Sequence, residues 1–178
     1  YNAFGLLGSI INSGKGSDKI TIELLEDRFV YQAVALEKSE INTGSDDDEI
    51  VIKISSSKDD AFHSYALRNS TIKLGDGNDN LNITQNNPSG NLVIAISEDT
   101  TYDFGAGNDL GTFYSDGYGI KGSRENIDSI LLGKGDDTFT ITSLYSSLYK
   151  SNILADEGND KIQLKSSHEF HYGIEDSN

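Results

Sequence analysis

The sequence predicts an all-β protein, a parallel β-solenoid of about six coils with one edge formed by a recurring turn. Three observations lead to this prediction. A turn of the type "LGDGNDNLNI" (residues 74–83) recurs along the chain, apolar runs of period two flank it, and helix-favouring segments are sparse. A sequence period of about 20 to 50 residues is typical of stacked repeats. Alternation of period two is the pattern of half-buried strands.

The glycine- and aspartate-rich turn occurs six times. Its copies are "NSGKGSDKITI" (12–22), "NTGSDDDEIVI" (42–52), "LGDGNDNLNI" (74–83), "FGAGNDLGTF" (104–113), "LGKGDDTFTI" (132–141) and "LADEGNDKIQL" (154–164). Their closing aspartates are Asp18, Asp48, Asp79, Asp109, Asp137 and Asp160, which by subtraction lie 30, 31, 30, 28 and 23 residues apart. We therefore expect one module over residues 1–178, with coils starting near 8, 38, 70, 100, 127 and 151.

Each coil is predicted to contain three short strands. In the third unit, Ile72 and Leu74 precede the turn, and Leu81 and Ile83 follow it with the same alternation. A third apolar run occurs in most units: "FVYQAVAL" (29–36), "AFHSYAL" (61–67), "NLVIAI" (91–96), "GYGI" (117–120) and "EFHYGI" (169–174). Residues 23–38 alone have helical character, but a helix there would interrupt the stacking of neighbouring repeats, so we expect strand.

Composition limits the possible partners. The chain has 14 basic and 29 acidic residues, a formal net charge of −15, no cysteine and 35% hydrophobic residues. Nucleic acids and anionic membranes bind basic surfaces, so neither is an expected partner. No apolar run approaches the roughly 20 residues of a membrane span, so we expect no membrane insertion. So acidic a chain needs cations to offset its self-repulsion when it folds.

The turn chemistry favours calcium as that cation. Glycine adopts positive φ without the penalty that a Cβ imposes, so carbonyl oxygens can point toward a common site beside the aspartate carboxylate. Calcium takes six to eight oxygen ligands. One turn offers too few oxygens, so we expect ions between neighbouring turns, up to five in all, with metal binding coupled to folding. The candidate ligand positions are Gly14, Gly16, Asp18, Gly44, Asp46, Asp48, Gly75, Gly77, Asp79, Gly105, Gly107, Asp109, Gly133, Gly135, Asp137, Asp156, Gly158 and Asp160.

These turns resemble the Gly-Gly-x-Gly-x-Asp-x-hydrophobic-x nonapeptide of the RTX (hemolysin-type) calcium-binding β-roll family. The resemblance implies that turn carbonyls and the aspartate bind calcium between coils, and that a bacterial type I system exports the chain, which then folds on meeting calcium. The sequence departs from the family pattern at Asp46 and Asp156, which stand in glycine positions. It also has one turn per coil of about 30 residues, where the family has two nonapeptides in about 18.

Other candidate sites are weaker. His168 and His171 lie three residues apart on a predicted strand, where side chains point to opposite faces, so a zinc site is not expected. The aromatic pairs Phe29 and Tyr31, Phe62 and Tyr65, and Phe170 and Tyr172 are expected to stack inside the coil or on a sheet face, with glycan binding as the alternative. A calcium-dependent lyase would need an arginine base, but Arg28, Arg68 and Arg124 are not adjacent to a turn aspartate. No nucleophile and base pair emerges, so we expect no enzyme.

The sequence thus predicts an extracellular or cell-surface structural module, such as an adhesin, surface-layer or filament component. It begins with neither methionine nor a signal peptide, so we expect it to belong to a longer or processed chain. Open sheet edges at the end coils predict further coils or end-to-end self-association. The alternatives are an accessory secretion and folding module of an RTX-type extracellular enzyme, and a module that binds surface glycans.

Overall fold

A computed structural model describes residues 2–26, 30–56, 61–86, 93–123, 125–167 and 174–175. The strands in these ranges are β1 (Asn2–Leu7), β2 (Ile10–Lys15), β3 (Lys19–Glu26), β4 (Val30–Glu37), β5 (Glu40–Ser45), β6 (Glu49–Ser56), β7 (Ala61–Arg68), β8 (Thr71–Asp76), β9 (Asn80–Asn86), β10 (Val93–Glu98), β11 (Thr101–Ala106), β12 (Leu110–Ser115), β13 (Tyr118–Lys121), β14 (Asp128–Leu131), β15 (Thr138–Ser143), β16 (Leu148–Tyr149), β17 (Ser151–Leu154), β18 (Lys161–Ser166) and β19 (Ile174–Glu175).

These strands form three parallel sheets around one core. The first sheet has the order β1-β4-β7-β10-β13-β16-β19, the second β2-β5-β8-β11-β14-β17, and the third β3-β6-β9-β12-β15-β18. Each strand therefore pairs with the strand three positions further along the chain, as in the parallel pairs β5 with β8 and β9 with β12. The predicted fold class, an all-β parallel β-solenoid, is confirmed, and the described residues contain no helix.

Side chains from all three sheets fill the core, and those of the second and third sheets alternate regularly between inside and outside. Ile72 and Leu74 of β8 are buried while Thr71 and Lys73 face outward, as their period-two pattern predicts. The predicted strand character of residues 23–38 is also confirmed over 23–26 and 30–37. The two-residue strand β16 was missed, because so short a strand shows no alternation.

Aromatic rings pack together in the core at the level where one stacked position is a glycine, Gly111. Phe113 and Phe139 meet edge to face with their ring centroids 5.0 Å apart, and Tyr102 lies 5.2 Å from Phe113. A Cβ added at Gly111 would lie 2.4 Å from a ring carbon of Phe139. Gly111, which is in register with Leu81 and Phe139, therefore leaves room for the Phe139 ring. Such placement of a small residue beside a large one keeps the interior closely packed.

The closed core is shorter than the predicted six coils. The fully buried apolar side chains run from Ala33 of β4 to Leu148 of β16, which corresponds to about four coils. In the first coil, core residues such as Ile20 and Ile22 are only partly buried, and so are Ile153 and Leu164 in the last. The end coils differ because a coil at the end of a stack has a neighbour on one side only.

The corners between the first and second sheets follow a common pattern. Four of them consist of two residues, of which the first has positive φ: Gly8 (58°), Lys38 (50°), Asn69 (49°) and Asp99 (54°). Lys150, between β16 and β17, has φ 48°. The next corner residue is a serine or threonine that links coils, as where the backbone N–H of Ser39 donates to Ser70 Oγ at 3.2 Å. The corner after β13 is wider, with six residues, 122–127.

Candidate metal centre

The six predicted turns lie one above another along one edge of the solenoid, between the second and third sheets. Gly14, Gly44, Gly75 and Gly105 are in direct register through successive strand pairs. The backbone N–H of Lys134 continues the stack by donating to Gly105 O at 3.0 Å, and that of Glu157 donates to Gly133 O at 3.1 Å. Repetition in sequence thus becomes alignment in space.

Two columns of turn residues have positive φ. In the first, Gly75 has φ 111°, and a Cβ added there would lie 2.0 Å from Gly44 O. In the second, Gly107 has φ 144°, and its Cβ would lie 1.7 Å from Gly77 O. Glycine is therefore needed here for two reasons, its left-handed conformation and the close approach of the preceding coil. The carbonyl oxygens of both columns point along the stack toward the next coil.

Aspartates occupy one position in each of these glycine columns. Asp156 follows Gly133 in the first column with φ 64°, and Asp46 precedes Gly77 in the second with φ 81°. Aspartate tolerates the left-handed region better than most residues with a Cβ. The Asp46 carboxylate also accepts a hydrogen bond from the backbone N–H of Gly16 at 3.0 Å. These departures from the glycine pattern keep the turn geometry.

The closing aspartates form a hydrogen-bonded ladder. The backbone N–H of each aspartate donates to Oδ1 of the aspartate one coil further on, over 2.7 to 3.0 Å from Asp18 to Asp160. One oxygen of each receiving carboxylate is therefore occupied in holding the coils in register. The sequence predicted the alignment of these aspartates but not this second use of the carboxylate.

The second carboxylate oxygen, Oδ2, is not part of this ladder. Oδ2 is buried, with no hydrogen-bond partner among the described residues, in Asp18, Asp48, Asp79, Asp109 and Asp137. The four aspartates from Asp48 to Asp137 are between 1% and 3% exposed. A buried acceptor without a partner costs about 1 to 3 kcal/mol, and more when it is charged. Five such atoms in one row are a concentrated source of instability unless something binds them.

A second ladder runs beside the first in the opposite direction. It uses the residue before each closing aspartate, where sequence analysis assigned no role: Asp47, Asn78, Asn108, Asp136 and Asn159. The backbone N–H of Asn78 donates to Asp47 Oδ1 at 2.8 Å, and that of Asn108 donates to Asn78 Oδ1 at 2.9 Å. Further along the stack the N–H of Asp136 donates to Asn108 Oδ1 at 2.7 Å. The repetition of Asn or Asp at this position was the sequence feature from which the second ladder could have been predicted.

Burial makes the carboxylate form of the central aspartates unfavourable. Desolvation raises the pKa of Asp109 to about 7 and that of Asp79 to about 6, from 3.8. Neighbouring aspartates of the column add to both increases, and the hydrogen bond from a backbone N–H opposes them. The pKa of Asp137 is raised by the same desolvation. In the folded protein each of these carboxyl groups is therefore stabilised either by a bound proton or by a bound cation.

The donor set of this edge fits a hard cation. It consists of carboxylate and carbonyl oxygens, which are the ligands that calcium prefers. Among the described residues, no three or more His, Cys, Asp or Glu side chains converge as a metal-binding group. A bound ion would therefore combine one or two Oδ2 atoms with turn carbonyls, such as those of Gly77, Gly107 and Gly135. The arrangement favours sites between coils over a site within one turn.

The raised pKa values predict how the metal-free protein responds to pH. A carboxyl group whose pKa is higher in the folded state stabilises that state below about pH 4, and the stabilisation is lost as pH rises through 6 to 7. Asp79, Asp109 and the buried Asp128, whose pKa desolvation raises to about 7, all act in this direction. We expect metal-stripped protein to unfold at lower urea concentration at pH 8 than at pH 5. A midpoint that rises with pH would contradict this assignment.

The remaining candidate residues either fall outside the described part of the chain or lie on the first sheet. His168, His171, Arg28, Arg124 and the side chains of Phe29, Phe62, Phe170 and Tyr172 lie outside the described residues. Tyr65 is buried in a small separate cluster of the first sheet with Val34 and Ala95, while Tyr31 is 57% exposed. Arg68 pairs with Glu37 at 2.7 Å, on the first sheet and away from the turns.

Fold and site together define a class: a three-sheet parallel β-solenoid with a column of buried aspartates along one edge. Comparison with known proteins finds no matching family model, no matching curated protein and no matching solved structure. The described part of the chain has no helix long and apolar enough to cross a membrane.

Proposed function

We propose that this chain is a calcium-binding extracellular structural module that folds and becomes rigid when calcium occupies its turn column. The observation that carries the proposal is the row of buried Oδ2 atoms from Asp18 to Asp137 with no hydrogen-bond partner in the described structure. Oδ1 of Asp48, Asp79, Asp109 and Asp137 already accepts a hydrogen bond from the neighbouring coil, so Oδ2 of each of these carboxylates is available to a cation. Plain solenoid corners would not need buried carboxylates.

The glycines and aspartates of the turns have different roles in the proposed sites. The glycines let successive turns approach closely, and the ladder of hydrogen bonds to Oδ1 sets their register. The buried Oδ2 atoms supply the negative charge. Calcium, when bound, would supply charge neutralisation and bonds between coils. Up to five divalent ions between the turns would offset much of the −15 formal charge. Binding energy of this kind is folding energy, because the unfolded chain holds no preformed site.

An extracellular location suits such sites. Calcium sites with dissociation constants of about 0.1 to 1 mM are typical of extracellular modules. The resemblance to RTX repeats supports bacterial type I export, with folding after exit, and a role on the cell surface as an adhesin, surface-layer or filament component. Partly exposed core residues in both end coils support association with further coils or with another copy.

The proposal is tested by titrating calcium into metal-stripped protein at pH 7.5, with magnesium as the control, while far-UV circular dichroism is recorded. We expect calcium, but not magnesium, to produce the β signal or to raise the unfolding midpoint markedly. Full β signal without metal, together with an unfolding midpoint that calcium does not change, would show that the turns are plain corners.

A further inference from the structure

One corner of the solenoid departs from the common pattern and covers a small pocket. The widened corner, residues 122–127, of which all but residue 124 are described, stands where the preceding corners have two residues. Insertions in a single repeat of a solenoid commonly form its binding face. This corner joins the first and second sheets, whereas the turn column joins the second and third.

The pocket beneath this corner has a volume of about 220 Å³. Its lining residues are Glu98, Lys121, Gly122, Ser123, Tyr149 and Lys150. A Cβ added at Gly122 would lie 2.1 Å from Lys150 O, so glycine allows the loop to pass close over the neighbouring coil. The volume is below the roughly 300 to 1,000 Å³ of pockets for drug-sized ligands, which limits the occupant to about one sugar ring.

Two lysines and one glutamate, Glu98, line this pocket, so its net charge is opposite in sign to that of the chain. Among the described residues, neither Lys121 nor Lys150 makes an ion pair within 4.0 Å of a carboxylate. In contrast, Lys19, Lys53 and Lys73 on the outer faces each pair with a glutamate of an adjacent coil. In a chain of net charge −15, two neighbouring unpaired ammonium groups are available to an anionic ligand.

Aromatic rings hold these ammonium groups in place. Lys121 Nζ lies 4.8 Å from the centroid of the Tyr118 ring, and Lys150 Nζ lies 5.7 Å from that of Tyr149. Cation–π contacts of this length orient a lysine without neutralising its charge. Tyr149 also lines the pocket, so its ring offers an apolar surface for the face of a sugar. Ser123 and Glu98 offer a hydroxyl and a carboxylate for sugar hydroxyl groups.

We propose that this pocket binds one carboxylate-bearing sugar residue, a uronic acid, with Lys121 and Lys150 on its carboxylate and Tyr149 against its ring. This site goes beyond the calcium-dependent structural role and uses none of its residues. The module would then attach to acidic polysaccharide through one corner while a different edge holds its metal ions.

The test is a calorimetric titration of the full chain with D-glucuronate, D-glucose and acetate at 0.15 M salt, with calcium present. We expect glucuronate to bind at least about tenfold more tightly than either glucose or acetate. The double variant Lys121→Gln, Lys150→Asn should lose this preference, and asparagine at 150 retains tolerance of the positive φ. Lys53→Gln, which removes an ion-paired lysine on the third sheet, is the matched control and should bind as wild type.

Circular dichroism of each variant shows that it is folded before binding is measured, so loss of folding is not mistaken for loss of the site. Equal affinity for glucuronate and glucose, equal affinity for acetate, or a double variant that binds as wild type would each overturn the proposal. Because folding is measured separately, failure of the calcium requirement and failure of the uronate site give different results.

Discussion

Replacement of Gly107 by alanine is expected to destabilise the solenoid by about 3 kcal/mol or more, a large fraction of an ordinary unfolding free energy of about 5 to 15 kcal/mol. The added Cβ would lie 1.7 Å from Gly77 O and 2.5 Å from Gly77 C, both backbone atoms of the coil below. Neither can move without separating two coils. The φ of 144° adds conformational strain to the steric clash. Urea unfolding followed by circular dichroism measures the effect.

Gly16→Ala is the matched control for this prediction. Gly16 occupies the same column in the first coil and has φ 100°, but no atom lies within 4 Å of its added Cβ. Its replacement should cost only the strain of placing alanine in the left-handed conformation, about 1 to 2 kcal/mol of unfolding free energy. Similar losses in the two variants would mean that conformation, and not the close approach of stacked coils, is the reason for glycine in this column.

Asp109→Asn is expected to be more stable than wild type without metal and less stable than wild type with calcium. The amide can keep the acceptor at Oδ1 for the N–H of Asp79, while it removes the charge at the buried Oδ2. A neutral amide is less costly to bury than a carboxylate. The metal-free variant should therefore be more stable than metal-free wild type at pH 8, where the Asp109 carboxyl, with its pKa of about 7, is ionised.

In calcium the same variant should be the less stable protein. At a calcium concentration 100 times the dissociation constant, each lost site removes about 2.7 kcal/mol of ligand-dependent stability. Thermal unfolding of both proteins with and without calcium measures the two changes. The control is Asp103→Asn, which changes a half-buried carboxylate of the same coil on the second sheet. It should alter neither the metal-free stability nor the gain in stability with calcium. Equal calcium-dependent gains in wild type and Asp109→Asn would exclude Asp109 as a ligand.

Much of the architecture was predictable because a solenoid translates sequence period directly into spatial register. The spacing of the closing aspartates sufficed to place Asp48, Asp79 and Asp109 in one column, which the structure shows. Period-two alternation around each turn likewise indicated which side chains are buried. The fold is predictable at this level because each coil needs only to match its immediate neighbours.

The finer features of the site were not predictable, since they depend on how one coil meets the next. The sequence cannot show that Oδ1 of an aspartate is occupied while Oδ2 is buried without a partner, because both oxygens have the same covalent connection. The Asn and Asp residues before the closing aspartates looked like ordinary turn residues, and only stacking turns Asn78 and Asn108 into a second ladder. The widened corner at 122–127 also gives no signal of the pocket that it covers.

The sequence by itself determined the all-β solenoid class, the alignment of the turns and the acidic character of one edge, because these follow from periodicity and composition. Only the tertiary structure decided which glycines lie against a carbonyl, which carboxylate oxygens are buried, and where two lysines remain unpaired. Those properties depend on atoms of adjacent coils about 30 residues away in sequence. Distances and burial between such atoms arise only when the coils stack.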